Sequence, residues 1–270
     1  MSYFKSSYGN VYFEYYENES NTTLVFIGGL TQTTLSWAAV INELKNDFQC
    51  LVLDLIFQGQ SEEYKEFLTF EQHAEVVHEL CKYLNIKEYI PVGISYGGAV
   101  AMRLMVKYQE VIPHAVLIST FAHKPRHFEA IGESWMVALE KGGYETFADI
   151  LMPWALGKSY YEKPIIPIEI LKQIRQNFPM SVSRLQKLVM ATATSNDYRD
   201  ELKNYKNPVL VVFGEEDLIT TPEMGQEIFR NLVQAEWVLL KNRGHTLNLE
   251  APNELVSSIR DFLKMQELLK

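Results

Sequence analysis

Short apolar runs alternate with helix-like segments along most of the chain. Four runs of four or five residues precede residue 121, and two more follow residue 208. Buried parallel strands read as continuous apolar runs because helices cover both faces of their sheet. The pattern predicts an α/β fold, with a mostly parallel central sheet flanked by helices. The predicted strands are 24–27, 50–54, 89–93, 115–118, 209–213 and 237–240.

Turn and capping residues mark the ends of several predicted elements. Aromatic and β-branched residues over Tyr3–Tyr16 are interrupted at Gly9–Asn10, which predicts a hairpin with its turn there. Thr69 and Gln72 have the spacing of a capping box, in which each side chain satisfies a backbone N–H of the other. A helix is therefore predicted from this point to about Leu84.

The strand rhythm stops between residues 121 and 197, where the chain is helical in pattern and rich in aromatic residues and methionine. We interpret 121–197 as an inserted helical cap, and 1–120 with 198–270 as one α/β core domain. Methionine suits adaptable apolar pockets, so the cap is expected to line a substrate pocket. The candidate pocket residues are Trp135, Met152 and Trp154.

Composition excludes several classes of function. A chain of 270 residues with 47% hydrophobic content can bury one sizeable core. The formal net charge of -9 and the scattered Lys and Arg residues argue against a nucleic-acid partner. No apolar stretch approaches the roughly 20 residues of a membrane span, and the start lacks a secretion signal. Cys50 and Cys81 lie in apolar segments, typical of small buried side chains. A cytoplasmic location is expected.

The histidines outside the candidate site do not suggest a metal centre. His73 and His78 lie on a predicted helix and are expected to be exposed. His123 and His127 lie at the entrance to the cap, with no third ligand at a suitable spacing. We therefore expect no metal and no other cofactor.

Candidate chemistry begins at Gly93-Ile94-Ser95-Tyr96-Gly97, a G-x-S-x-G motif. In this motif a strand turns sharply into a helix and holds the serine exposed and strained. A side chain at Gly93 or Gly97 would crowd the neighbouring strand or helix. A predicted strand precedes the motif and a predicted helix follows it, which is the context that the motif requires. Ser95 is the candidate nucleophile.

A serine nucleophile needs a general base, and the base needs an orienting acid. Asp217 follows the predicted strand 209–213, and His245 follows the strand 237–240. Ligands of α/β sheets bind at the carboxyl ends of parallel strands, where both residues are expected. We therefore predict His245 as the base and Asp217 as the acid. Glu215 or Glu216 is the alternative acid.

The oxyanion of a tetrahedral intermediate requires N–H donors. Tyr96 opens the helix after the nucleophile, and its backbone N–H is one predicted donor. The second is expected from the loop after Gly28–Gly29, with Leu30 as the candidate.

Five motifs together resemble, in order, the landmarks of the α/β-hydrolase superfamily: Gly28–Leu30, Asp54–Ser61, Gly93–Gly97, Gly214–Asp217 and Gly244–His245. The resemblance covers nearly the whole chain except the cap. The Asp54–Ser61 block, Thr33–Thr34 and Gly244–His245 with Leu249–Glu250 also resemble the 3-hydroxyacyl-acyl-carrier-protein acyltransferase family that makes the rhamnolipid lipid precursor.

The resemblance implies a serine hydrolase that cleaves a carboxylic ester or thioester through an acyl-serine intermediate. An alternative is a 3-hydroxyacyl transferase that joins acyl chains taken from acyl carrier protein. A third interpretation is a non-catalytic ligand-binding protein of the same fold. The expected partner is a small-molecule acyl ester or thioester, with acyl carrier protein as partner under the transferase alternative.

Overall fold

An eight-stranded sheet runs through the centre of the computed structural model, which describes residues 2–177 and 180–269. In chain order the strands are β1 (Ser2–Ser6), β2 (Gly9–Tyr16), β3 (Thr23–Ile27), β4 (Gln49–Leu53), β5 (Ile90–Ile94), β6 (Ala115–Ile118), β7 (Val209–Gly214) and β8 (Ala235–Leu240). They lie in the order β1-β2-β4-β3-β5-β6-β7-β8. Strand β2 pairs antiparallel with β1 and with β4, and all other neighbours are parallel. This architecture confirms the predicted fold class.

The predicted parallel strands agree with the structure to within two residues at either end, but the hairpin turn was misplaced. Gly9 pairs with Ser6 across the hairpin, so Ser7 and Tyr8 form the turn. The Ser6 hydroxyl donates to the Gly9 carbonyl at 2.7 Å and accepts from the Tyr8 N–H at 3.1 Å. These bonds close the turn over Ser7 and Tyr8, directly before the glycine.

Helices cover both faces of the sheet. In chain order they are α1 (Ala38–Leu44), α2 (Phe70–Tyr83), α3 (Tyr96–Lys107), α4 (Arg126–Ala155), α5 (Lys158–Glu162), α6 (Ile168–Asn177), α7 (Val182–Thr194), α8 (Arg199–Leu202), α9 (Pro222–Asn231), α10 (Leu247–Glu250) and α11 (Pro252–Met265). Thr69 caps α2 and forms the predicted capping box with Gln72. Helices α4 to α7 fall inside the segment 121–197 that the sequence marks as an insertion.

Two hydrophobic clusters lie on opposite sides of the sheet because successive strand residues point to opposite faces. Leu24 and Phe26 pack on the side of α1 and α11, whereas Val25 and Ile27 pack on the side of α2 and α3. The buried residues of α4, and those of α7 except Val189, belong to the cluster that contains Val25 and Ile27. Helices α4 and α7 therefore extend the core of one sheet face.

His73 is completely buried, so the expectation that it is exposed was wrong. It lies on the apolar stripe of α2, between Phe70 and Val77 at helical spacing. Neither ring nitrogen has a hydrogen-bond partner within the described part of the chain. Burial lowers the pKa of His73 to about 3.

Both cysteines are buried and free, as expected. Burial raises the pKa of the Cys50 thiol to about 12 and also raises that of Cys81. Both thiols are therefore uncharged at neutral pH. Over the segments that the structure describes, none of the helices is long and apolar enough to pass through a bilayer.

Candidate active site

Ser95 lies on a sharp turn between β5 and α3. Its backbone has φ 52° and ψ −115°, a strained conformation for a residue that is not glycine. A Cβ on Gly93 would lie 2.4 Å from the Gly97 carbonyl oxygen, and one on Gly97 would lie 2.2 Å from the Ile27 carbonyl oxygen. The two glycines therefore permit the close approach that holds Ser95 at the strand end.

The structure brings Ser95, His245 and Asp217 together, although 150 residues separate the serine from the histidine. The Ser95 Oγ lies 2.9 Å from His245 Nε2, and His245 Nδ1 lies 2.8 Å from Asp217 Oδ2. His245 is 6% exposed and Asp217 is 2% exposed. The arrangement has the geometry of a nucleophile, a general base and an orienting acid.

The Asp217 carboxylate is held by its own loop. Its Oδ1 accepts hydrogen bonds from the backbone N–H groups of Ile219 and Thr220, both at 2.9 Å. The Thr220 hydroxyl donates to Asp217 Oδ2 at 2.9 Å and lies 3.1 Å from His245 Nδ1. The sequence reasoning missed Thr220, because a threonine three residues after an acid is common in loops.

The two alternative acids bind elsewhere. Glu215 accepts a hydrogen bond from the Asn242 N–H at 3.1 Å. Glu216 accepts from the N–H and the hydroxyl of Ser159, at 2.9 and 2.7 Å. Neither carboxylate contacts His245, so the geometry favours Asp217 as the orienting acid.

Glu250 organises the loop that carries His245, and the sequence reasoning did not identify this role. Its carboxylate is 1% exposed and accepts from the backbone N–H groups of Gly244 and Thr246, at 2.9 and 3.1 Å. It also accepts from the Thr246 hydroxyl at 3.0 Å and from the Gly157 N–H at 3.0 Å. Glu250 thus fixes both neighbours of the histidine and joins them to the start of α5.

The candidate oxyanion donors are the backbone N–H of Leu30, in the loop after β3, and that of Tyr96, directly after Ser95. Neither N–H donates a hydrogen bond within residues 2–177 and 180–269. Tyr96 is the first residue of α3, where free N–H groups and the helix dipole favour negative charge. A Cβ on Gly29, which precedes Leu30, would lie 3.5 Å from the Ser95 Cβ. Both donors therefore adjoin the serine.

A cavity of about 560 Å³ opens above the serine. Its floor includes Ser95, His245, Leu30 and Tyr96, and α4 and α7 supply much of its wall. Trp135 lies on this wall, as predicted. The other large apolar side chains that line it are Phe121, Phe128, Met136, Val137, Leu151, Val189 and Ile219.

Trp154 and Met152 do not line this cavity, and the prediction for Trp154 is wrong. Trp154 is 39% exposed on the outer surface of α4. Met152 lines a smaller neighbouring cavity of about 150 Å³. Leu151 and Ala155, four residues apart on one helix face, line both cavities, whereas Met152 lines only the smaller one. Gly143 interrupts α4 with φ 69°, so the helical spacing from Trp135 does not carry across it.

In the part of the chain that the structure covers, no group of three or more His, Cys, Asp or Glu side chains is placed to hold a metal ion. His123 instead pairs with Glu227 at 3.2 Å.

A strained serine that follows a central strand of a parallel sheet, with helices on both sheet faces, defines the α/β-hydrolase class. The chain has the α/β-hydrolase fold. A family model described as "alpha/beta hydrolase fold" matches residues 22–148, and one described as "TAP-like protein" matches residues 181–268.

Similar proteins from several sources share the whole length of the fold. The "Uncharacterized hydrolase YugF" of Bacillus subtilis is 24% identical over 94% of each chain. MGS-M2, an α/β hydrolase from a Medee basin deep-sea metagenome library, superposes with a TM-score of 0.89 at 24% identity over 97% of each chain. A thermophilic esterase from Thermogutta terrifontis gives a TM-score of 0.87 at 22% identity, over 100% of this chain and 99% of that one.

Proposed function

We propose that the protein is a carboxylic-ester hydrolase that works through an acyl-Ser95 intermediate. The observation that carries this proposal is the chain of contacts from Ser95 Oγ to His245 Nε2, at 2.9 Å, and from His245 Nδ1 to Asp217 Oδ2, at 2.8 Å. Two unpartnered N–H groups and the large cavity adjoin the same serine. These are the parts that acyl transfer needs.

The reaction then follows from the position of each group. His245 Nε2 removes the proton of Ser95 as Oγ attacks the ester carbonyl carbon. The carbonyl oxygen becomes an oxyanion, which the N–H groups of Leu30 and Tyr96 stabilise. His245 returns the proton to the leaving alcohol, and the acyl group remains on Ser95. Water, deprotonated by His245, attacks the acyl carbon; the bond to Ser95 Oγ breaks, His245 gives its proton to Oγ, and the acid leaves.

The cavity supports an acyl group of moderate size as substrate. About 560 Å³ lies within the range of small-molecule sites, and its wall is largely apolar. The segment 121–197 serves in this proposal as a lid, with α4 and α7 enclosing the acyl chain. Trp135 and Met136 on α4 then contact the chain.

The charges at the cavity argue for uncharged esters over carrier-bound thioesters. Glu129, Glu133 and Glu140 line the outer part of the cavity, where Lys124 is the only lysine or arginine among the lining residues. The net charge of the chain is -9. Phosphate-bearing carriers of acyl thioesters would meet like charge at this entrance. The charges of the site therefore do not support the alternative of a transferase that uses acyl carrier protein, and this alternative stays a prediction.

The test is turnover of a panel of uncharged p-nitrophenyl esters and acyl thioesters, with products identified by mass spectrometry. Ser95→Ala should lower kcat by several orders of magnitude, about 10⁶-fold in the serine-protease case, and should abolish fluorophosphonate labelling. Ser119→Ala is the matched control, because Ser119 is buried at the end of β6 and its hydroxyl has no partner among the described residues.

Three outcomes would count against the proposal. Normal labelling of Ser95→Ala would assign the nucleophile to another serine. Binding of esters without any turnover would favour a non-catalytic ligand-binding protein. A dimeric ester formed from 3-hydroxyacyl thioesters would favour the transferase.

A further inference from the structure

The loop after β4 contains a glutamine whose side chain binds the peptide that carries one of the candidate oxyanion donors. Gln58 is 0% exposed, and its Nε2 donates to the carbonyl oxygen of Gly29 at 2.7 Å. Its Oε1 accepts from the Leu55 N–H at 3.2 Å. Both ends of the amide are therefore engaged, and the side chain has one favourable orientation.

The Gly29 carbonyl belongs to the same peptide unit as the Leu30 N–H. In a trans peptide the C=O and the N–H point in opposite directions. The Gly29 carbonyl accepts from Gln58 Nε2 and from the Gln32 N–H, which lies 3.1 Å away. Donors that hold this carbonyl on one side of the loop also hold the Leu30 N–H on the other side.

The neighbouring contacts keep Gln58 in place. Its own N–H donates to the Leu55 carbonyl at 2.8 Å, and its carbonyl accepts from the Ser61 N–H at 3.0 Å. Phe57, directly before it, has φ 78°, which is unfavourable for a bulky residue. The Phe57 N–H donates to the Glu62 carbonyl at 3.0 Å, so backbone pairing holds this strained turn.

We propose that Gln58 is a positioning residue that aims the Leu30 N–H at the oxyanion formed on Ser95. The inference rests on the proposed acyl-serine function. Gln58 does not line the cavity, so it acts through the Gly29–Leu30 peptide and not on the substrate. An oxyanion exists only after attack, so misdirecting this N–H weakens the transition state more than the bound ester.

The experiment compares Gln58→Glu and Gln58→Met with wild type. An ionised Glu keeps an acceptor for the Leu55 N–H but loses the donor to Gly29, and Met removes both. The substrate is p-nitrophenyl butyrate. An alkyl trifluoromethyl ketone reports on the oxyanion, because Ser95 Oγ adds to its carbonyl carbon, His245 takes the serine proton and the ketone oxygen becomes the oxyanion. A non-hydrolysable butyl ether reports on ground-state binding.

The expected result is a fall in kcat of about 10- to 100-fold, somewhat less than the loss of a whole donor, with KM within about twofold. Affinity for the trifluoromethyl ketone should fall by a similar factor, whereas affinity for the ether should not change. Gln60→Met is the matched control, because Gln60 lies two residues along the same loop with an exposed side chain, and it should keep wild-type kinetics.

Several outcomes would overturn the inference. A merely structural role predicts a lower Tm, with unchanged kcat per folded enzyme and unchanged ketone affinity. If fluorophosphonate labels Ser95 and Gln58→Met, which has no donor in any protonation state, retains wild-type kcat, the inference fails and the proposed function stands. If wild-type protein neither turns over esters nor reacts with fluorophosphonate, both fail.

Discussion

The backbone N–H of His245 donates a hydrogen bond to the carbonyl of Ala155, 3.2 Å away. Ala155 is the last residue of α4, so the proposed base is attached directly to the end of this helix. The Thr246 hydroxyl donates to the same carbonyl at 3.3 Å. Changes in the insertion are therefore expected to affect the histidine as well as the substrate pocket.

Glu250→Gln tests how strongly this attachment matters. The amide keeps one acceptor oxygen but turns an NH₂ either toward the N–H groups of Gly157 and Gly244, which share Oε2, or toward the donors of Thr246, which share Oε1. Loss of a buried, hydrogen-bonded carboxylate is expected to cost about 3 kcal/mol of unfolding free energy. Because the loop then holds His245 less firmly, kcat/KM should fall about 10-fold, measured beside urea unfolding.

Glu254→Gln is the control for that variant. Glu254 lies four residues further on, in the first turn of α11, and pairs with Arg243 at 2.8 Å on the surface. An exposed pair of this kind contributes less than about 1 kcal/mol. Equal losses in the two variants would show that Glu250 has no special role.

Asp217→Asn tests the identity of the acid. The amide cannot accept the Nδ1–H of His245 as the carboxylate does, and the wrong tautomer of the histidine is then favoured. We expect kcat to fall by about 10⁴-fold, as in the protease triad, with little change in KM. Glu216→Gln should keep kcat within a few-fold, since Glu216 binds Ser159. The reverse ranking of the two variants would assign the acid to Glu216.

Chain-length preference tests the pocket. Met136→Trp should fill part of the cavity and lower kcat/KM for decanoate relative to butyrate esters by about 10-fold, since each methylene in such a pocket contributes roughly 1–3 kcal/mol. Trp135→Phe should shift the ratio in the opposite direction. Trp154→Ala is the matched control, because Trp154 lies on α4 outside the cavity. An unchanged ratio in both Met136→Trp and Trp135→Phe would refute the assignment of this cavity to the acyl chain.

His73 makes stability depend on pH. Burial lowers its folded pKa to about 3 from the ordinary histidine pKa of 6.5, so the unfolded chain binds a proton that the folded chain excludes. This stability is fully present above pH 6.5 and is lost progressively as pH falls toward 3. The loss amounts to about 2 kcal/mol between pH 7.5 and 5.

The measurement is urea unfolding of wild type and His73→Leu at both pH values. The leucine variant should lose about 2 kcal/mol less on acidification, and the difference isolates His73 from the other titrating groups. His127→Gln, at an exposed position, should match wild type. A His73→Leu variant with the full wild-type dependence would show that His73 is protonated in the folded state.

The sequence alone determined the sheet and the candidate triad. Apolar runs predicted β3 to β8 because strands covered on both faces need no polar positions. Ser95, Asp217 and His245 could be placed because each follows a predicted strand, and parallel strands end at one edge of the sheet. The glycines around Ser95 gave a further signal, since a turn this tight excludes a Cβ.

Only the tertiary structure decided which side chains surround that triad. Gln58 and Glu250 act through backbone groups of Gly29 and Gly244, and no local pattern marks such contacts. His73 has the residue type of a surface position, yet packing on α2 buries it. Trp154 is a residue type common in substrate pockets. The bend at Gly143, however, breaks the helical register of α4 between Trp135 and Trp154, so the two side chains do not share a face. Residue type and spacing set which elements form, whereas the face that a side chain presents depends on how the elements pack.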